Sequence, residues 1–268
     1  MSRRRRRGQR PWFIVIPGAV ALAFLVVPLI ALLTQAPWGS FAGILTSPDA
    51  LAALRLSMET SLMATAVALV IGVPLAWLLA RDALPGTRVW RALVLVPLLL
   101  PPVVAGVALL AALGRRGLVG QWLYGALGIQ LPFSTAGVVI AEAFVAMPFL
   151  VIAVEGGFRA VDRRMEDAAA TLGASTWTTF RRVTLPLAWP ALVAGAVLCW
   201  ARALGEFGAT ITFAGSFPGV TQTMPLAVYS ALETDRSVAI ALSIVLLAVS
   251  ITVLVLLRGR YLRGGSAA

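Results

Sequence analysis

The sequence predicts an all-α integral membrane protein with six transmembrane helices. Three observations carry that prediction. The 268-residue chain is 60% hydrophobic, well above the ~45–50% usual for a soluble domain. Its apolar residues gather in six runs, at 12–34, 58–80, 91–113, 134–157, 185–204 and 238–257, each near the roughly 20 residues that cross a bilayer as a helix. The basic residues, all arginine with no lysine or histidine, lie almost wholly between those runs. Residues 1–11 read as a basic tail and 12–57 as the first span with its external loop. Residues 58–258 read as a core of five spans interrupted by a polar loop at 158–184, and 259–268 as a second tail.

The first run follows five consecutive arginines, Arg3 to Arg7. A secretory signal can begin that way, but this run is longer than a signal core and no small-residue cleavage site follows it. The third run contains Pro97, Pro101 and Pro102. Proline removes a backbone donor and kinks a helix, so this run is the candidate gate helix. It would act with small residues of the fifth run, Ala191, Ala194, Gly195 and Ala196, although such residues also simply let membrane helices pack. The fifth run has Pro186 in its first turn, a position proline favours, and holds the single cysteine, Cys199, read as a small buried hydrophobe. Gly205, Gly208 and Gly215 then break the helical pattern. Irregular backbone is not tolerated against lipid, so this segment is either buried in the bundle or emerges from it. With residues 221–234 it is expected to form an outer receiving surface, where Glu233, Asp235 and Arg236 either make contacts or are merely solvated.

Arginine placement sets orientation. With the N-terminus inside, seventeen arginines fall in the cytoplasm and four outside (Arg55, Arg115, Arg116 and Arg236), while Arg202 belongs to the fifth run. Both termini are therefore expected in the cytoplasm. The net charge of +11 follows from this bias and from attraction to anionic lipid, worth about 1 kcal/mol per basic residue near the surface. A nucleic-acid partner is not needed to explain it.

The loop at 158–184 carries its own helix signals. Asp162 is an N-cap candidate for a helix opening at Arg163, with Glu166 and Asp167 near its positive end. Ala168, Ala169 and Ala170 favour helix and leave a shallow surface, and Gly173 can stop it. Ser175 can cap a second short helix through Arg182. Spacing alone leaves two readings open, a docking knob for a partner or an ordinary hairpin on the membrane surface.

Asp167, Ala168, Ala169, Gly173, Val183, Leu185 and Pro186 spell Asp-Ala-Ala-x3-Gly-x9-Val-x-Leu-Pro. The pattern resembles the signature loop of bacterial ABC importer permeases, usually Glu-Ala-Ala-x3-Gly-x9-Ile-x-Leu-Pro, with Asp167 and Val183 as conservative departures. The stretches 97–106, 113–117 and 202–229 resemble the molybdate and sulfate permeases, and the segment 221–229 leans to molybdate. The arginine run near the N-terminus departs from the family's short lead. The resemblance implies a type I importer fold and a coupling set of Glu166, Asp167, Ala168, Ala169, Ala170, Leu172 and Gly173. It also implies two copies of a cytoplasmic ATP-binding subunit, a second copy of this chain, and an external oxyanion-binding protein in which most selectivity resides. ATP would be used by the partner; this chain shows no G-x-x-x-x-G-K-[ST] phosphate loop and is expected to bind no cofactor. The implied place is the bacterial cytoplasmic membrane.

Arg202 and Glu206, four residues apart, are expected to share a helix face. Intramembrane charges face a bundle interior or a watery cavity, so the two either line the translocation pathway or form a mutually satisfied structural pair. Rival readings are a sulfate or tungstate permease of the same build, a gradient-driven transporter using Glu142, Glu155 or Glu206, and a membrane enzyme. The last lacks any metal cluster or nucleophile–base pair in the sequence.

Overall fold

The computed structural model describes residues 12–261. The basic tail expected at 1–11 and residues 262–268 of the second tail lie outside the described residues, which form helices and no strand.

Helix α1 (Trp12–Thr34) has no buried residue and rests lightly on the last helix. A short α2 (Phe41–Leu45) follows. Helix α3 (Pro48–Ala80) begins ten residues before the second apolar run and absorbs part of the expected external loop. The cause is a complete start signal: the Ser47 hydroxyl accepts from the Ala50 N–H, Pro48 occupies the first turn, and Asp49 faces the positive end.

The third expected span is broken, not kinked. It forms α4 (Thr87–Leu99) and α5 (Pro102–Leu113), bent by 116°. A residue before proline is pushed out of the helical region by the following ring. Leu100 precedes Pro101 and Pro101 precedes Pro102, so two successive residues take extended ψ near 135°. Pro97, without such a neighbour, stays inside α4. The Arg91 side chain of α4 bonds the Leu79 carbonyl at the end of α3, whereas Leu113, ending α5, packs against the cluster of Ala105, Leu109, Val145 and Phe213.

Helices α6 (Gly120–Leu127) and α7 (Thr135–Ala160) follow, α7 capped by Ser134. The polar hairpin comes next, then α10 (Leu185–Leu204), α11 (Gly208–Phe213), α12 (Met224–Thr234) and α13 (Arg236–Tyr261). Five helices are long and apolar enough to cross a membrane, six if the bent α4–α5 pair counts as one span.

The core is the mutual packing of α3, α7 and α10. Its contact faces mix small and large residues: Ala64, Ala68, Ala76, Ala143, Ala146 and Ala188 are buried beside Leu79, Leu150, Val154 and Phe158. Small residues let membrane helices approach closely. At Gly157 the approach is closest, where an added Cβ would collide with the Ala191 methyl. Gly195 likewise faces Ala153 and Leu150 at 3.2 Å.

Candidate functional site: a docking hairpin and a buried polar cluster

The hairpin begins with α8 (Arg163–Thr171). The Asp162 carboxylate accepts from the Arg164 N–H at 3.0 Å. Gly173, at φ +82°, ends the helix: its N–H reaches the Ala170 carbonyl and the Ala174 N–H reaches the Ala169 carbonyl, each at 3.0 Å. This is the double closure of a left-handed glycine stop. Ser175 then caps α9 (Thr176–Thr179) by accepting from the Thr178 N–H.

The second arm does not stop at Arg182. It passes through a π-helical turn, Phe180–Thr184, directly into α10, giving one 29-residue rod, Thr176–Leu204. Pro186 thus lies within a continuous helix instead of at a free start. Its missing N–H and its ring disturb the turn behind it, and a widened turn of this kind absorbs such a misfit.

The hairpin's nominated residues divide by face. Asp167, Ala168, Ala170, Leu172 and Gly173 are exposed and Ala169 is half-buried. Leu172 is 89% exposed, and Met165 and Trp177 of the same hairpin are exposed too. Glu166 departs from the set. Its Oε1 accepts from Arg81 Nη2, at the end of α3, and from the Thr184 hydroxyl, at the foot of α10. Sequence reasoning missed Arg81 and Thr184; Arg81 registered only as an orienting charge.

A second cluster lies at the opposite end of α10. Arg202 and Glu206 do pair, with Nη2 2.6 Å from Oε2, in a contact too oblique to count as a hydrogen bond. They do not share a helix face, because α10 ends at Leu204 and Glu206 lies beyond it. Glu206 instead caps the next element, its Oε1 accepting from the Ala209 N–H at 2.8 Å. Glu142 of α7, also buried, accepts from the Thr60 hydroxyl at 3.0 Å. Glu155 belongs elsewhere, joining Arg91 and Arg159 near the end of α3.

The broken span and the glycine-rich segment meet. Gly208 lies under Pro102, and Gly106 lies against Ala209 and Thr212, with no room for a Cβ at either glycine. Candidate gate helix and candidate pathway segment are therefore one packed unit. The expected outer surface shrinks: Thr221, Thr223, Met224 and Leu226 are buried, and the Met224 N–H bonds the Ser57 hydroxyl of α3 at 2.7 Å. Between 221 and 237 only Tyr229 and residues 232–237 remain exposed.

Residues 72–263 match the family described as binding-protein-dependent transport system inner membrane component. The molybdenum transport system permease protein ModB of Mycobacterium tuberculosis H37Rv is 47% identical over 240 residues, covering 90% of each chain. A probable sulfate transport system permease protein, cysT, of Chlorokybus atmophyticus is 34% identical over 248 residues, covering 91% of this chain and 86% of that one. Among solved structures, a bacterial alginate ABC transporter in complex with a periplasmic protein bound to alginate pentasaccharide superposes with a TM-score of 0.76 at 16% identity, over 95% of this chain and 94% of that one. The chain belongs to the inner-membrane component family of binding-protein-dependent transport systems and is a multi-pass membrane permease. Within that family it resembles the molybdenum permeases more than the sulfate permeases.

Proposed function

We propose that this chain is the membrane-spanning subunit of an ATP-driven molybdate importer. It would work as a symmetric pair with two cytoplasmic ATPase subunits and an external binding protein. The observation that carries the molybdate assignment is the 47% identity to a molybdenum permease along nine-tenths of both chains, against 34% for the sulfate relative. The arginine-rich face, bearing Arg81, Arg159, Arg163 and Arg164, is the cytoplasmic one.

On this reading the exposed face of the hairpin receives the ATPase. A surface leucine 89% exposed, next to flat alanines and a free acidic side chain, suits a close-fitting partner better than water. The chain contains no lysine, which the phosphate-binding loop of such ATPases requires, so hydrolysis belongs to the partner. ATP binding draws the two hairpins together and turns the pore outward, and hydrolysis resets it. The chain contributes differential contacts between two states, not bond-making chemistry.

Arg202 and Glu206 act as a structural pair. The Glu206 carboxylate offsets the Arg202 guanidinium, so the pair offers an oxyanion no net positive charge. Cargo that must be released is better held weakly along its route, which leaves selectivity to the binding protein.

The test is uptake of labelled molybdate into proteoliposomes holding the chain, its ATPase and its binding protein, with ATP on the ATPase side and excess sulfate as competitor. ATP-dependent uptake that resists sulfate is expected. Uptake abolished by sulfate moves the assignment to sulfate, and uptake without ATP defeats the ATP-driven reading.

A further inference from the structure

Helix α8 has no buried residue, so apolar packing does not fasten it to the transmembrane core. What fastens it is Glu166. We propose that Glu166 is the positioning residue that converts displacement of the hairpin into displacement of α3 and α10, a role that rests on reading the hairpin as the ATPase-docking loop.

One carboxylate oxygen gathers donors from two separate spans. Arg81 terminates α3, and Thr184 closes the π turn that leads into α10. The tie is sheltered, with the Arg81 side chain 11% exposed and that of Glu166 19% exposed. The Arg81 guanidinium has no other hydrogen-bond acceptor among the described residues, and its Nε is buried without a partner. A sheltered guanidinium that loses its one carboxylate is left uncompensated, which is strongly unfavourable. The contact therefore persists as the hairpin moves, and α3 and α10 follow it.

Neighbouring acids divide the labour. Glu166 and Asp167 border the same cavity beside Trp77 and Thr184, but their side chains point about 100° apart and differ in what they touch. Asp167 faces outward and exposed, available to the ATPase. Glu166 faces inward, onto the ends of two spans.

The experiment uses the complete transporter in proteoliposomes, measuring ATP hydrolysed per molybdate imported beside co-purification of the ATPase. Glu166→Ala is expected to co-purify with the ATPase yet raise the ATP-to-molybdate ratio about tenfold, within the usual range of coupling between sites. Arg81→Ala is expected to do the same, and the double variant to be no worse than either alone, since both remove one contact. A wild-type ratio in Glu166→Ala overturns the proposal. So does loss of ATPase co-purification with that variant, which would make Glu166 a docking residue. If Glu166→Ala does not accumulate in the membrane, Glu166→Gln and Thr184→Val decide, with uncoupling expected and a wild-type ratio in both refuting. Failure of the underlying reading has a different signature: Gly173→Trp that still binds and couples its ATPase shows that the hairpin is not the docking loop.

Discussion

Removing the Arg202 guanidinium separates the structural role of the outer ion pair from a transport role. Glu206 is 1% exposed, and its protein partners are Arg202 and the Ala209 N–H. Arg202→Ala leaves a buried carboxylate held by one backbone donor. Breaking a buried pair from one side costs about 3–5 kcal/mol; Arg202 is itself 28% exposed, so water tempers the loss and the lower end, about 3 kcal/mol, applies. The reverse deletion is milder. Glu206→Gln keeps an acceptor for Ala209 and frees a guanidinium that solvent can reach, a loss of about 1 kcal/mol. The double variant Arg202→Met, Glu206→Gln retains that acceptor and leaves no unpaired charge, so it is expected to be about 2 kcal/mol more stable than Arg202→Ala. Reversible denaturant unfolding in lipid bicelles reads stability, and proteoliposome uptake reads transport. An Arg202→Ala protein within about 0.5 kcal/mol of the parent, but with a raised KM for molybdate, refutes the structural-pair reasoning and makes Arg202 part of the anion route.

Other perturbations test the remaining features. Gly173→Ala meets no atom within 4 Å but sits at φ +82°, so hydrogen exchange should show the hairpin weakened by about 1–2 kcal/mol while ATPase co-purification persists; Gly173→Trp should abolish that co-purification. Gly157→Val forces a side chain into the Ala191 methyl and should destabilise the protein by about 1–3 kcal/mol, seen as a lower thermal midpoint. Replacing both Pro101 and Pro102 with alanine lets residues 100 and 101 become helical. The distance between spin labels placed at positions 91 and 113 should then lengthen toward the roughly 33 Å of an unbroken helix, with loss of uptake. Arg55→Ala breaks an ion pair whose side chains are 81% and 51% exposed, and should leave the thermal midpoint unchanged.

Much of the fold was legible because hydropathy is a local property. The first and fifth runs coincide with α1 and α10, residue for residue. Hydropathy counts apolar residues, however, and is blind to two adjacent prolines, so the third run looked like one kinked span where Leu100 and Pro101 break it. In the hairpin, Asp162 and Gly173 announced themselves because caps and stops act within a few residues. Glu166 did not, since its inward turn depends on Arg81, 85 positions earlier. The bond between Thr60 and Glu142 spans 82 positions and was unreadable for the same reason. The expected break after Arg182 failed because tertiary continuity with α10 outweighed the proline signal at Pro186.

The alanine-lined seam among α3, α7 and α10 has a mechanical consequence. Deeply interdigitated side chains lock two helices in one register, and sliding them demands that rotamers change. Alanine has no rotamers and glycine no side chain, so faces built from Ala64, Ala68, Ala143, Ala146, Gly157 and Gly195 are smooth at the scale of a methyl group. Where these small residues meet, the helices stay in close van der Waals contact with little to unlock in the small shear by which packed helices shift; a bulky side chain added at Gly157 or Gly195 would act as a brake without touching cargo or nucleotide.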